Sequence, residues 1–172
     1  TDGHKWLNVT YDCGIAFVRR VEDLRRTFSA TAGYLPVSDA FDAMHHTPQS
    51  SQRARQVEVW AVLRTLGRDG VARLVTRACD AATTIAEILA AGGLTILNDV
   101  VLNQVLVRLV DGPTTEELIA AVQDDGRTWC GPTRWDGATA MRISVSSWKT
   151  DEADARFVAE AILDAAARLQ HR

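Results

Sequence analysis

Apolar side chains that recur three and four residues apart predict two long helices in this chain. The first begins near Arg53, pauses at residues 67–70 and is expected to end at Gly92-Gly93. The second closes the chain, with Thr150 as its expected N-cap and acidic residues in its first turn. The apolar stripes are Val71, Leu74, Val75, Ala78, Ala82, Ile85 and Leu89 in the first helix, and Val158, Ala161, Ile162, Ala165 and Leu169 in the second.

Strand patterns and a shorter helix lie between the two long helices. The segment Val100–Leu109 is apolar on both faces at most positions, so it is expected to be a central, mostly buried strand. Thr114 and Glu117 form a capping box for a helix that runs to about Val122. Three further strands are predicted at Leu94–Leu97, Thr128–Cys130 and Ala140–Ser146. This order of elements predicts an α/β sandwich with one antiparallel sheet.

The first third of the chain has a different character. An apolar stretch predicts a strand at Ile15–Arg19. The segment Ser29–Ser51 shows neither helical nor strand periodicity and reads as a long loop. Loops of this length in a compact domain are usually functional or disordered. The pair His45-His46 lies in this loop, and no role is assigned to it.

Composition excludes several classes of protein. With 172 residues and 47% hydrophobic content, the chain can bury a core. A net charge of -3 gives no electrostatic case for binding nucleic acid. No apolar run approaches the roughly 20 residues that span a bilayer, and no signal peptide is expected. Three widely spaced cysteines show no metal-ligand spacing and favour reduced thiols in the cytoplasm.

Lys5 is the residue with the most distinctive chemical surroundings. It follows His4 and precedes an apolar stretch, and it is expected at the start of a strand. A lysine whose amine is held at a fixed depth beside a histidine is suited to forming an imine with an aldehyde cofactor. The alternative, by far the commoner for a single lysine, is a solvated surface charge.

The sequence around Lys5 resembles a known family. His4-Lys5-Trp6, followed by Asp12-Cys13-Gly14, is similar to the cofactor-lysine segment of the pyridoxal-phosphate-dependent decarboxylases of the aromatic-amino-acid and glutamate decarboxylase group. Other segments resemble later parts of the same family in the same order: residues 51–55, 59–60, 66–70, 97–107 and 141–146.

The resemblance implies a fold and an extent. The implied fold is fold-type I, the aspartate aminotransferase-like α/β fold. Residues 1–62 would be the end of the large cofactor-binding domain, and residues 63–172 the small C-terminal domain with its antiparallel sheet. The chain would then be the C-terminal portion of an enzyme. Its missing N-terminal part would supply the phosphate cup and the groups that contact the pyridine ring, so this chain alone is expected to be inactive.

The resemblance also implies residue roles. Lys5 would be the Schiff-base lysine for pyridoxal 5′-phosphate, and His4 would lie at the cofactor phosphate or at the lysine. Asp2 would reach the phosphate region, although a carboxylate is repelled by a phosphate dianion unless another donor intervenes. Tyr34, in the long loop, would protonate the substrate after carbon dioxide leaves. The alternatives are that His4 and Tyr34 only pack.

The implied function is decarboxylation of an L-amino acid by a cytoplasmic homodimer. One alternative keeps the cofactor but makes an aldehyde, and another is a non-catalytic folding or dimerisation lobe with an inert lysine. Arg53 and Arg55 would bind a carboxylate, brace the loop, or form surface pairs at a helix start. Arg142, inside an apolar strand, is expected to need a buried partner. Four tryptophans are expected in the core or at an interface: Trp60, Trp129, Trp135 and Trp148.

Overall fold

A four-stranded antiparallel sheet with three helices packed against it forms the body of the protein. The computed structural model describes residues 1–29 and 41–171. The helices are α1 (Gly3–Trp6), α2 (Val21–Phe28), α3 (Gln56–Ala91), α4 (Thr115–Asp125) and α5 (Glu152–Gln170), with a 3-10 turn at Ala43–His45. The strands are β1 (Thr95–Ile96), β2 (Gln104–Arg108), β3 (Gly131–Trp135) and β4 (Ala138–Ser144).

The sheet has the order β1-β2-β4-β3, and β2 is central and buried as predicted. Val105 of β2 pairs with Ile143 of β4, and both face α3, α4 and α5 in one apolar core. Strand β2 is shorter than predicted because the chain bends at residues 101–103, before the strand begins. The side chain of Asn98, just beyond the end of β1, bonds to the first half of β2. Asn98 Oδ1 accepts from the backbone N–H of Leu106 at 2.8 Å, and its Nδ2 donates to the carbonyl of Gln104 at 3.2 Å.

Helix α3 contains the predicted pause as a kink. Gly67 has φ 62° and ψ −175°, a conformation that is available to glycine and strained for other residues. The helix ends at Ala91, before the predicted Gly92 stop. A Cβ on Gly92 would overlap Leu163 of α5, so glycine there allows α5 to approach the end of α3 closely.

The helix caps are partly as predicted. Thr114 and Glu117 form the expected capping box, and α4 continues to Asp125, beyond the predicted end. The prediction of Thr150 as the cap of α5 is wrong. Asp151 takes that position, because its Oδ1 accepts from the backbone N–H of Asp154 at 3.0 Å in a second capping box.

Two of the strand predictions are wrong. No strand forms at Ile15–Arg19; the pairing next to it is an isolated bridge between Gly14 and Asp2. The chain then forms α2, whose acidic first turn and basic last turn suit the helix dipole. The strand predicted at Thr128–Cys130 begins at Gly131 instead, because an Asp136-Gly137 turn with positive φ at both residues sets the β3–β4 hairpin.

The predicted environments of Arg142 and of the tryptophans need correction. Arg142 lies opposite Leu106, on the sheet face away from the helices, and is exposed, so it needs no buried partner. The core interpretation of the four tryptophans is wrong, because their exposed fractions range from 41% to 75%. The three cysteines are free thiols. No helix in the described ranges is both long and apolar enough to cross a bilayer.

Candidate active site

Lys5 lies on α1, a single helical turn, and not at the start of a strand as predicted. The turn is closed by the backbone N–H of Leu7, which donates to the carbonyl of Gly3 at 3.0 Å. Gly3 is buried, and a Cβ there would lie 3.1 Å from Val9 Cγ2 and 3.2 Å from Cys13 Sγ. Glycine therefore lets this turn pack closely against the chain that follows it.

The amine of Lys5 is accessible and has a carboxylate partner. Its Nζ lies 2.8 Å from Asp2 Oδ2, and the side chain of Lys5 is 62% exposed. The hydrogen bond from Lys5, followed by its charge, lowers the pKa of Asp2. Asp2 thus serves as the partner of the Lys5 ammonium.

His4 presents a nitrogen without a protein partner. Its ring packs against Tyr11, with ring centroids 4.4 Å apart and planes tilted by 51°. Its Nδ1 is buried, and no described residue forms a hydrogen bond with it. Buried polar atoms normally have a partner, so this nitrogen is an exception among the described residues. An exposed lysine amine fits an aldehyde cofactor, because a primary amine can form an imine with an aldehyde.

Arg55 and Arg53 brace the chain next to His4. Arg55 binds the Asp12 carboxylate with two hydrogen bonds, Nε to Oδ1 at 2.9 Å and Nη2 to Oδ2 at 3.1 Å. Arg53 pairs with Glu58 at 2.6 Å and also donates to the carbonyl of Tyr11 at 3.2 Å. Of the predicted alternatives, surface pairs at the helix start are confirmed, and they hold residues 11–12 beneath His4.

The Asp12–Arg55 pair predicts a measurable acid dependence. The hydrogen bond from Arg55 is the largest cause that lowers the pKa of Asp12 from 3.8 to about 2. Because the folded-state pKa is depressed, the stabilisation is complete above pH 3.8 and is lost as the pH falls through 2. We expect Arg55→Met to raise the pKa of Asp12 towards 3.8 and to weaken this part of the acid dependence.

Carboxyl carbon NMR on the full-length protein measures this pKa directly. Arg53→Met is the matched control, because Arg53 lies farther from the carboxylate, with Nη2 3.9 Å from Asp12 Oδ1. An unchanged Asp12 pKa in Arg55→Met would show that the salt bridge does not form in solution.

Sequence reasoning missed Asn8, which links the lysine turn to the segment between β4 and α5. Its Nδ2 donates to the carbonyl of Lys5 at 2.8 Å and to that of Ser146 at 2.7 Å. Its Oδ1 accepts from the backbone N–H of Trp148 at 2.7 Å. The available signal was only that asparagine tolerates a positive φ, which is 51° here.

The predicted loop also contains Tyr34 and the pair His45-His46. Tyr34 lies outside the described residues. His46 stacks on Phe41, with ring centroids 4.6 Å apart, and its Nδ1 lies 2.9 Å from the carbonyl of Asp42. These contacts are local to the turn that contains Ala43–His45.

A groove of about 940 Å³ lies behind the lysine turn, against α3. Leu7 and Asn8 line it, but Asp2, His4 and Lys5 do not. The groove is therefore adjacent to the candidate site and separate from its reactive groups. Its remaining lining comes from α3 and Trp148: Ala61, Val62, Thr65, Leu66, Gly70, Ala72, Arg73, Leu74, Thr76, Arg77 and Asp80.

Comparison with solved structures defines the class of fold. The structure of Oryza sativa TDC with PLP and tryptamine matches with a TM-score of 0.80 at 18% sequence identity. The match covers 88% of this chain and 34% of that chain. The predicted fold class, a fold-type I α/β enzyme fold, is confirmed.

Comparison of sequences defines the family. Residues 1–110 match the pyridoxal-dependent decarboxylase conserved domain, and the chain belongs to this family. Histidine decarboxylase of Drosophila melanogaster is 29% identical over 172 residues, which is 93% of this chain and 20% of that protein. 3,4-Dihydroxyphenylacetaldehyde synthase of Aedes aegypti is 31% identical over 77 residues, which is 42% of this chain and 15% of that protein. The chain thus spans well under two thirds of the length of these relatives.

Proposed function

We propose that this chain is the lysine-bearing, C-terminal part of an enzyme that decarboxylates an L-amino acid to its amine and carbon dioxide. The observation that carries the proposal is the accessible Lys5 amine, fixed on a single turn within a segment that matches the family. Pyridoxal 5′-phosphate, when bound, supplies an aldehyde carbon for the lysine and a ring that withdraws electrons from the substrate Cα.

The residues of the chain have separate tasks in this proposal. Lys5 would hold the cofactor through its amine, the nucleophile that an aldehyde cofactor requires. Asp2 holds the Lys5 ammonium by its 2.8 Å contact and so limits where the amine can reach. His4, whose buried Nδ1 has no hydrogen-bond partner among the described residues, would lie at the cofactor phosphate or at the lysine. Tyr34 delivers a proton to the substrate Cα after carbon dioxide has left.

The remaining proposals concern the whole protein. An N-terminal part of the same enzyme would complete the phosphate and ring contacts, and two copies would form a homodimer in the cytoplasm. The domain boundary between residues 62 and 63 stays a prediction. It falls within α3, five residues before the kink at Gly67.

Aldehyde synthesis is the second candidate function. It is favoured by the similarity to the Aedes aegypti synthase, a protein whose name states an aldehyde product. The presence of a tyrosine at position 34 favours decarboxylation, since its hydroxyl supplies the proton that leads to an amine.

Product analysis of the full-length protein separates the two functions. The protein is loaded with pyridoxal phosphate and supplied with individual L-amino acids. Release of amine and carbon dioxide in equal amounts without oxygen uptake is the expected result. Aldehyde, ammonia and peroxide formed with oxygen uptake would assign aldehyde synthesis, and no product from any amino acid would overturn both proposals.

A further inference from the structure

Asn8 uses every polar group of its side chain to join distant parts of the chain. Both donor hydrogens of Nδ2 go to backbone carbonyls, those of Lys5 and Ser146, and Oδ1 accepts the N–H of Trp148. Two of the three partners lie about 140 residues away in sequence, between β4 and α5. A fully satisfied amide of this kind fixes position and orientation together.

The backbone at Asn8 is part of the same arrangement. Its φ of 51° is left-handed, a conformation that asparagine and glycine adopt more readily than other residues. This reversal follows α1 directly and turns the Asn8 side chain back towards the carbonyl of Lys5. Both the backbone and the amide therefore favour asparagine at this position.

The segment that Asn8 holds is itself anchored at both ends. Val145 and Asn103 form two hydrogen bonds with each other. The backbone N–H of Val145 donates to the carbonyl of Asn103 at 2.9 Å, and Asn103 Nδ2 donates to the carbonyl of Val145 at 2.8 Å. Arg77 of α3 donates to the carbonyl of Trp148. Asn8 therefore ties Lys5 to a part of the small domain that is fixed to the sheet and to α3.

No other residue makes this connection by hydrogen bonding in the described ranges. Between residues 1–29 and residues 92–171, every hydrogen bond involves Asn8. Arg53 and Arg55, which precede α3, donate the remaining hydrogen bonds between the N-terminal segment and distant residues. The acceptors are Tyr11 and Asp12. Hydrogen bonding between the lysine turn and residues 92–171 thus depends, in the described ranges, on one side chain.

We propose that Asn8 is a positioning residue, which sets the Lys5 backbone relative to the small domain. This inference rests on the proposed role of Lys5 as the cofactor lysine. With Asn8 in place, the backbone that carries the Lys5 side chain is held against residues 146–148. Without it, the turn is held by its own backbone bonds and is free to shift against the small domain, and displacements of about 1 Å cost roughly a hundredfold in rate.

Three variants of the full-length protein test the inference. Asn8→Gly keeps the left-handed backbone and removes all three bonds. Asn8→Asp also tolerates the backbone, but it places a carboxylate against the carbonyls of Lys5 and Ser146. Asn103→Ala is the matched control, because it removes a bond to Val145 on the same small-domain segment without touching Lys5.

The expected results separate positioning from simple folding. In Asn8→Gly, kcat should fall roughly 10- to 100-fold while KM stays within about threefold. Asn8→Asp should lose more, and Asn103→Ala should retain the wild-type kcat. In cofactor-free protein, the amide of Trp148 should exchange its hydrogen about tenfold faster in Asn8→Gly.

Two outcomes would overturn the inference. Wild-type kcat in Asn8→Gly would show that only the backbone conformation matters, and an equal loss of kcat in Asn103→Ala would show a general effect of the segment. If pyridoxal phosphate does not react with Lys5 in the wild type, the proposed function fails instead. Exchange at Trp148 would still report whether Asn8 joins the two regions, so the two failures are distinguishable.

Discussion

Replacing Lys5 with alanine is expected to lower amine production by the full-length enzyme by roughly three orders of magnitude or more. The amine of Lys5 is the group proposed to bind the cofactor covalently, and no nearby side chain can replace it. The fold should be retained, because the side chain is 62% exposed and its salt bridge to Asp2 is a surface pair. Steady-state amine release, together with circular dichroism, measures both expectations.

Lys149→Ala is the matched control for this substitution. It is the only other lysine among these 172 residues, and it lies over the ring of Trp148, with Nζ 5.6 Å from the ring centroid. This variant should produce amine at the wild-type rate. Full activity in Lys5→Ala would remove Lys5 from the chemistry and leave the non-catalytic lobe as the better interpretation.

Replacing Tyr34 with phenylalanine is expected to lower amine production by roughly two or more orders of magnitude. The substitution keeps the aromatic ring and removes only the hydroxyl that is proposed to give a proton to the substrate Cα. When that proton is delayed, oxygen can intercept the reacting substrate. Aldehyde, ammonia and peroxide should therefore rise as a share of the product, while affinity for cofactor and substrate stays near normal.

Tyr11→Phe provides the control, because Tyr11 is the other tyrosine of these 172 residues. It packs on His4 through its ring and is 77% exposed, so loss of its hydroxyl should leave the product ratio unchanged. Wild-type amine production with no aldehyde in Tyr34→Phe would show that Tyr34 is not the proton donor. The proton would then have to come from His4, Lys5 or the N-terminal part of the enzyme.

Much of the sheet and of the helices packed on it could be predicted because the signals are local. The Thr114–Glu117 capping box lies within four residues, and the helix stop before Gly92 depends on glycine alone. The central place of β2 follows from an apolar run too long for an edge strand. These features are set by neighbouring residues and are therefore visible in sequence.

The N-terminal segment was harder to predict because its structure depends on distant residues. A single turn such as α1 is too short to show helical periodicity. The apolar positions that follow it therefore resemble the approach to a strand. The Asp136-Gly137 turn did have a sequence signature, and it would have placed β3 correctly.

The candidate site likewise contains residues that the sequence predicts and contacts that it does not. Family resemblance identified Lys5, His4 and Asp2, and the contact between Asp2 and Lys5 follows from their spacing of three residues once α1 is known. The bonds from Asn8 to Ser146 and Trp148 connect residues that only the folded chain brings together. No periodicity or composition could have predicted them.

Chemical trapping tests the central claim most directly, because it reports which lysine meets the cofactor. The full-length protein is mixed with pyridoxal phosphate, reduced with borohydride, digested and mapped by mass spectrometry. We expect the reduced cofactor on Lys5, with Lys149 unlabelled. Label on Lys149 or elsewhere with Lys5 unmodified would contradict the assignment of Lys5 as the cofactor lysine.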